Sequence, residues 1–157
     1  MDEIPKWYNE NSSDEDYLLA SNTQVSQDLQ LAINKATAGA RTEIARMVKV
    51  HVTNLQKPFI EEVGNSKDSQ VGKLFSDTSE LITSESLSGS IVSNKQFMKE
   101  GDTFRAYVLV KYPIGKANAA FLEKLKTQEY LNTIFRATKA YDELEKKVVK
   151  YESSKKE

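Results

Sequence analysis

Few side chains in this sequence have the type and spacing that chemistry requires. The one histidine, His51, has no neighbouring acid, serine or second histidine that would make it a general base or a metal ligand. There is no cysteine, which excludes a disulfide framework, a thiolate metal cluster and a thiol nucleophile. Adjacent acids occur at Glu61–Glu62 and at Asp14-Glu15-Asp16. Paired carboxylates can share acid and base roles when burial separates their pKa values, but neighbours in loops read as exposed surface. Phosphate-cradling glycine loops and the calcium-loop spacing are absent. The stretch Leu87-Ser88-Gly89-Ser90-Ile91 lacks the first glycine of a nucleophile elbow. Lys35, Arg41, Arg46, Lys49 and Lys57 form a mild basic zone with few aromatics between them, too sparse for a nucleic-acid surface. Trp7-Tyr8 is an aromatic pair that either anchors the chain start on the domain or touches a partner or ligand. These residues point away from catalysis and imply no cofactor and no metal.

The elements that must position these side chains fit one domain with a real core, since the chain has 157 residues of which 39% are apolar. The net charge of −1 argues against a nucleic-acid partner. Charge is uneven: six acids against Lys6 give residues 1–25 a local net of −5. Residues 9–16 contain no apolar side chain, so 1–16 read as an acidic tether. The opening Met1-Asp2-Glu3-Ile4-Pro5 lacks the basic start and apolar stretch of a signal peptide. No apolar run approaches the roughly 18–20 residues that cross a bilayer, so the chain as it stands is expected to be soluble.

From Tyr17 to Thr23 the sequence reads as a strand. Ser26 is placed as a helix N-cap, with Asp28 complementing the dipole in the first turn. Leu29, Ile33, Ala36, Ala40, Ile44 and Met47 then fall on one helical face. Gly39 inside this helix costs about 1 kcal/mol relative to Ala, which close approach to a sheet would offset. Val48, Val50 and Val52 alternate with Lys49, His51 and Thr53, which predicts a half-buried strand; Pro58 marks either its end or an edge position, in which case Phe59, Ile60 and Val63 extend it. Residues 64–69 form a turn cluster, and Val71, Leu74, Phe75, Thr78, Leu81 and Ile82 predict a second helix over about 70–85. A weak strand over 86–98, with Gly89 as a bulge or a point of close approach, joins a strong one over 103–112 through a hairpin at 99–102. The order β-α-β-α-β-β over 17–113 is an α+β domain with a small, mostly antiparallel sheet packed by a long helix.

Residues 114–157 read as a helical extension. From Asn118 to about Tyr151 there is no proline or glycine, and Ile134, Ala137, Tyr141, Leu144, Val148 and Tyr151 form a heptad seam. Such a seam packs either on its own domain or on a protein partner or second subunit. Lysines and glutamates interleave around it, as on a solvated face.

Four pieces, in order, resemble the LPP20-type bacterial lipoprotein family. They are Pro5-Lys6-Trp7-Tyr8 with Tyr17–Thr23; the alanine-rich helix with Ala32, Ala36, Ala40-Arg41 and Ile44-Ala45; Ser86–Ile91; and Phe104–Pro113. The resemblance covers about residues 4–113. It implies an envelope protein anchored by an N-terminal lipid and facing the periplasm or cell surface. It further implies a dodecin- or SHS2-like core, related to the N-terminal domain of a flagellar outer-ring protein, with structural or interactive roles and no catalytic residues to carry over. The chain departs from the family in lacking the lipid-bearing cysteine: either Met1 replaces it at the start of the sequence or the chain is an unlipidated relative. Contact with a membrane would therefore run only through an anchor absent from this sequence.

The expected function is a non-enzymatic envelope or surface protein, a structural or interaction subunit with contacts at Trp7, Tyr8, Ile134, Tyr141, Leu144, Val148 and Tyr151. One alternative is a dodecin-like module holding a flavin between subunits, which a yellow preparation would reveal. Another is a soluble enzyme or regulatory domain.

Overall fold

A computed structural model describes residues 4–9, 14–63 and 69–155 of the chain. The fold is α+β: a three-stranded antiparallel sheet packed against long helices, with a helical C-terminal region. In chain order the elements are α1 (Lys6–Asn9), β1 (Tyr17–Ser26), α2 (Leu29–Val63), α3 (Ser69–Gly89), β2 (Ile91–Glu100), β3 (Thr103–Pro113), α4 (Ile114–Thr127), α5 (Glu129–Phe135) and α6 (Lys139–Lys155). They form two compact units. The first holds residues up to Met47 together with Glu85–Pro113, and the second holds Val48–Ser84 together with Ile114–Glu157. Residues 10–13 of the acidic loop and 64–68 of the expected turn lie outside the described residues.

In the first unit β3 is the central strand, flanked by β1 and β2. Its alternation sets the two faces of the sheet, because paired residues on antiparallel neighbours share a side. Ala106, Val108, Val110 and Tyr112 are buried on one face. Their β1 partners on that face are Gln24, Asn22, Ala20 and Leu18. Of the helical face expected in α2, Ala36, Ala40 and Ile44 are fully buried, as is the neighbouring Ala32, whereas Leu29, Ile33 and Met47 are half-buried. Gly39 marks a close approach: a Cβ there would lie 2.7 Å from the Asn22 side chain of β1. The Gly39→Val variant is therefore expected to lose about 1–3 kcal/mol through overpacking, and Asn22→Ala in the same chain to recover most of that loss. Thermal unfolding of the single and double variants checks this.

Three local expectations are corrected. The N-cap of α2 is Asp28, whose Oδ1 accepts the N–H groups of Gln30 at 2.8 Å and Leu31 at 3.2 Å; Ser26 Oγ only accepts from the Asp28 N–H. Helix α3 runs on to Gly89, so Leu87 is helical and β2 starts at Ile91. The irregularity in β2 falls between Val92 and Asn94, not at Gly89. The hairpin falls where expected but is tighter: Lys99 and Glu100 belong to β2, and only Gly101-Asp102 joins it to β3, with Gly101 at φ +63°, which a side chain would resist.

The largest correction concerns residues 48–63. The strand expected at Val48–Thr53 is helix, because α2 continues unbroken for 35 residues with Pro58 inside it. Val48, Val52, Gln56 and Phe59 are buried, at spacings of four, four and three that extend the series Ala36, Ala40, Ile44. Val50, assigned to the buried face of a strand, is instead 57% exposed.

The second unit is built on four phenylalanines. Phe59 of α2, Phe75 of α3, Phe121 of α4 and Phe135 of α5 are buried, with Phe59 centred 5.7 Å from Phe121 and 5.6 Å from Phe135. The buried Gln56 side-chain amide finds its acceptor beside this cluster, donating to the Phe75 carbonyl at 2.8 Å. The single C-terminal helix expected over 118–151 is three helices, α4 to α6, broken at Gln128 and across Arg136–Thr138. The break before α6 is held by acceptors for its free N–H groups: Thr138 Oγ1 takes that of Tyr141 at 3.1 Å. The Glu62 carboxylate takes those of Lys139 at 3.0 Å and Ala140 at 2.8 Å. Loss of this acceptor in Glu62→Ala is expected to cost about 1 kcal/mol, with Glu62→Gln costing less because one amide oxygen remains. The urea midpoints of the two variants report the difference.

Candidate interaction surfaces

The residues singled out for contact fall into two groups. Trp7 and Tyr8 lie on α1, which packs on β3. The Tyr8 ring meets Tyr107 edge-on at 5.1 Å, and Trp7 meets Tyr8 at 6.3 Å. Tyr107 belongs to the outer face of β3, yet α1 leaves it only 6% exposed. Both α1 rings remain half-buried, so the pair anchors the chain start on the sheet while keeping an accessible edge. The second group, Ile134, Tyr141, Leu144, Val148 and Tyr151, does not form one seam, because Ile134 belongs to α5 and the rest to α6. Tyr141, Leu144 and Val148 are buried within their own unit, where α6 packs on α4. Ile134 and Tyr151 are half-buried. Gly115 of α4 admits the Tyr151 ring so closely that any Cβ there would overlap it.

The outer sheet face carries a polar tie across all three strands. Arg105 of β3 pairs with Glu100 of β2 at 2.6 Å and donates to Thr23 Oγ1 of β1 at 3.1 Å. Donating this hydrogen bond to the Glu100 carboxylate raises the Arg105 pKa above its ordinary value. At the other end of β3, Lys111 Nζ sits 4.6 Å from the centre of the Tyr17 ring.

No protein-family profile matches the chain, and no curated protein matches it in sequence.

The remaining candidates have structural partners. His51, expected on the polar side of a strand, lies on α2, where its Nε2 is 2.7 Å from Oδ1 of the buried Asn118 on α4. Glu62 of the acidic pair is the acceptor for α6, and Asp14 Oδ1 accepts the Asp16 N–H at 2.8 Å. Among the described residues no three His, Asp or Glu side chains converge as metal ligands. Among the same residues, no helix is long and apolar enough to cross a membrane. A concavity of about 530 Å³ on the second unit is lined by Lys126, Asn132, Arg136, Tyr141, Asp142 and Glu145. This mixed, charged lining differs from the apolar walls and few convergent polar groups of a typical small-ligand pocket.

What the sequence did not single out is β2. Nearly every residue of this strand is exposed. Phe97 is 54% exposed, Ile91 50% and Val92 37%, with Leu87 at the end of α3 also open. The available signal was the weakness of its alternation: a strand that does not alternate clearly has no face committed to the core.

Proposed function

We propose that this chain is a non-enzymatic bacterial envelope or surface protein, similar to LPP20-type lipoproteins, that acts as a structural or protein–protein interaction subunit of a larger assembly. The observation that carries the reading is the exposed strand β2, where Ile91, Val92 and Phe97 hold apolar area in solvent. Val92 and Phe97 pair with Val110 and Ala106, so they lie on the face of the sheet that carries the core and extend its apolar area to the exposed edge. The four sequence pieces in family order support the envelope setting, and the anchored Trp7-Tyr8 pair supports an N-terminal attachment close to the sheet.

The test uses cells that carry the native gene. The protein is expected to sediment with envelope membranes, and its mature N-terminus to carry a lipid-modified cysteine by mass spectrometry. A photo-crosslinking residue placed at Phe97 is expected to give a discrete protein adduct in intact cells, whereas one at the exposed Arg46 is not. Recovery of the protein in the cytosolic fraction, or equal adducts at both positions, would overturn the proposal.

A further inference from the structure

The two edges of the sheet are chemically unlike. The β2 edge carries Lys95, Lys99 and Glu100 and a register irregularity between Val92 and Asn94. Charged side chains and bulges are the means by which proteins keep an edge strand from pairing with another chain. The β1 edge has none of them. Its ten residues, Tyr17-Leu18-Leu19-Ala20-Ser21-Asn22-Thr23-Gln24-Val25-Ser26, include no charge, proline or glycine, and their register with β3 is unbroken. Sheet order places β1 at the margin, so alternate N–H and C=O groups along its outer side have no strand partner among the described residues.

We propose that two copies of this chain join through β1, antiparallel and about a two-fold axis at Ser21, to give a continuous six-stranded sheet. The strand's own composition argues for a second copy as the occupant. Pairing about Ser21 keeps every residue on its own face. On the outer face it sets Tyr17 against Val25 of the second copy and Leu19 against Thr23. On the inner face it sets Leu18 against Gln24 and Ala20 against Asn22. No like charges meet, and aromatic–β-branched pairs of the first kind stabilise antiparallel neighbours. Tyr17 is held on the outer face by Lys111. The same operation on β2 about Phe97 would oppose Lys95 to Lys99 twice. The nine-residue overlap spans about 30 Å at ~3.4 Å per residue. This inference does not depend on the envelope reading, and it uses the edge opposite to the exposed strand on which that reading rests.

The absence of cysteine makes the test direct. At the two-fold axis the Ser21 Cα atoms of the two copies would lie about 4.5–5.5 Å apart, within the range a disulfide bridges. The full chain with Ser21→Cys is expected to form a thiol-reversible covalent dimer under mild oxidation, while Gln96→Cys on β2 is not. In sedimentation equilibrium the unmodified chain is expected to show twice its 17.7 kDa mass, and Ser21→Lys, which opposes two ammonium groups at the axis, to return it to 17.7 kDa. Circular dichroism checks that Ser21→Lys is folded; if it is not, the cross-link decides. A monomeric unmodified chain overturns the proposal, as does equal cross-linking at positions 21 and 96. A dimer unaffected by a folded Ser21→Lys variant overturns it too.

Discussion

Phe121→Ala is expected to lose about 3–5 kcal/mol of stability, the range for truncating a fully buried phenylalanine. Phe121 has no solvent exposure, and its ring lies 5.7 Å from that of Phe59 and 5.8 Å from that of Phe75. The loss combines the transfer free energy of the ring with the cavity that four helices cannot close, because Phe59, Phe75 and Phe135 come from three other helices. Edge-on ring pairs add about 0.5–1.5 kcal/mol each beyond area burial, and the truncation removes one such pair with Phe59. Phe121→Leu retains most of the volume and is expected to lose clearly less. Urea unfolding followed by far-ultraviolet circular dichroism measures both, and equal midpoints for Phe121→Ala and the unmodified chain would show that this cluster does not hold the unit together.

Val50→Pro is expected to cost about 3 kcal/mol or more, although Val50 is more than half exposed and its side chain contributes little packing. The cost is one of backbone: proline removes an N–H from the interior of α2 and its ring collides with the carbonyl one turn earlier. Val50→Ala supplies the sign that separates helix from strand. In an exposed helical position alanine is favoured over valine by up to about 0.7 kcal/mol, so this variant should melt higher. In a half-buried strand the same change would remove packing area and β propensity, and the variant should melt lower. The pair of melting temperatures thus reads the conformation of residues 48–53 directly. Pro58, already within α2, lacks its own N–H at that turn, which makes a second proline eight residues upstream a severe addition.

The alternation Val48-Lys49-Val50-His51-Val52-Thr53 suits two conformations at once. Val48 and Val52 are four residues apart, so a five-residue window satisfies a helix and a strand alike. The series that begins at Ala32 and reaches Phe59 distinguishes them, and only over its full length does the helical period win. The C-terminal seam is ambiguous for a related reason. Its spacing is real, but Gln128 and Arg136–Thr138 carry no proline or glycine to announce the breaks. What makes the second break favourable is the Glu62 carboxylate, 77 residues from the first N–H it accepts. The interaction residues follow the same division. Trp7 and Tyr8 were visible as an aromatic pair, but nothing local says that Tyr107 receives them.

Some features followed from the sequence alone: the α+β class, the strength of β3, the alanine face of α2, the close approach at Gly39 and the turn at Gly101. Each depends on consecutive residues, whose spacing and backbone freedom are set by covalent structure and short-range sterics. The tertiary structure decided which of two equivalent periods residues 48–63 obey, where the C-terminal helices break, and that Tyr141, Leu144 and Val148 pack inward. It also decided that β2, and not the C-terminal seam, carries its apolar side chains into solvent. Those outcomes depend on which surface is near enough to bury an apolar face or accept an N–H, and that is fixed only when distant segments meet.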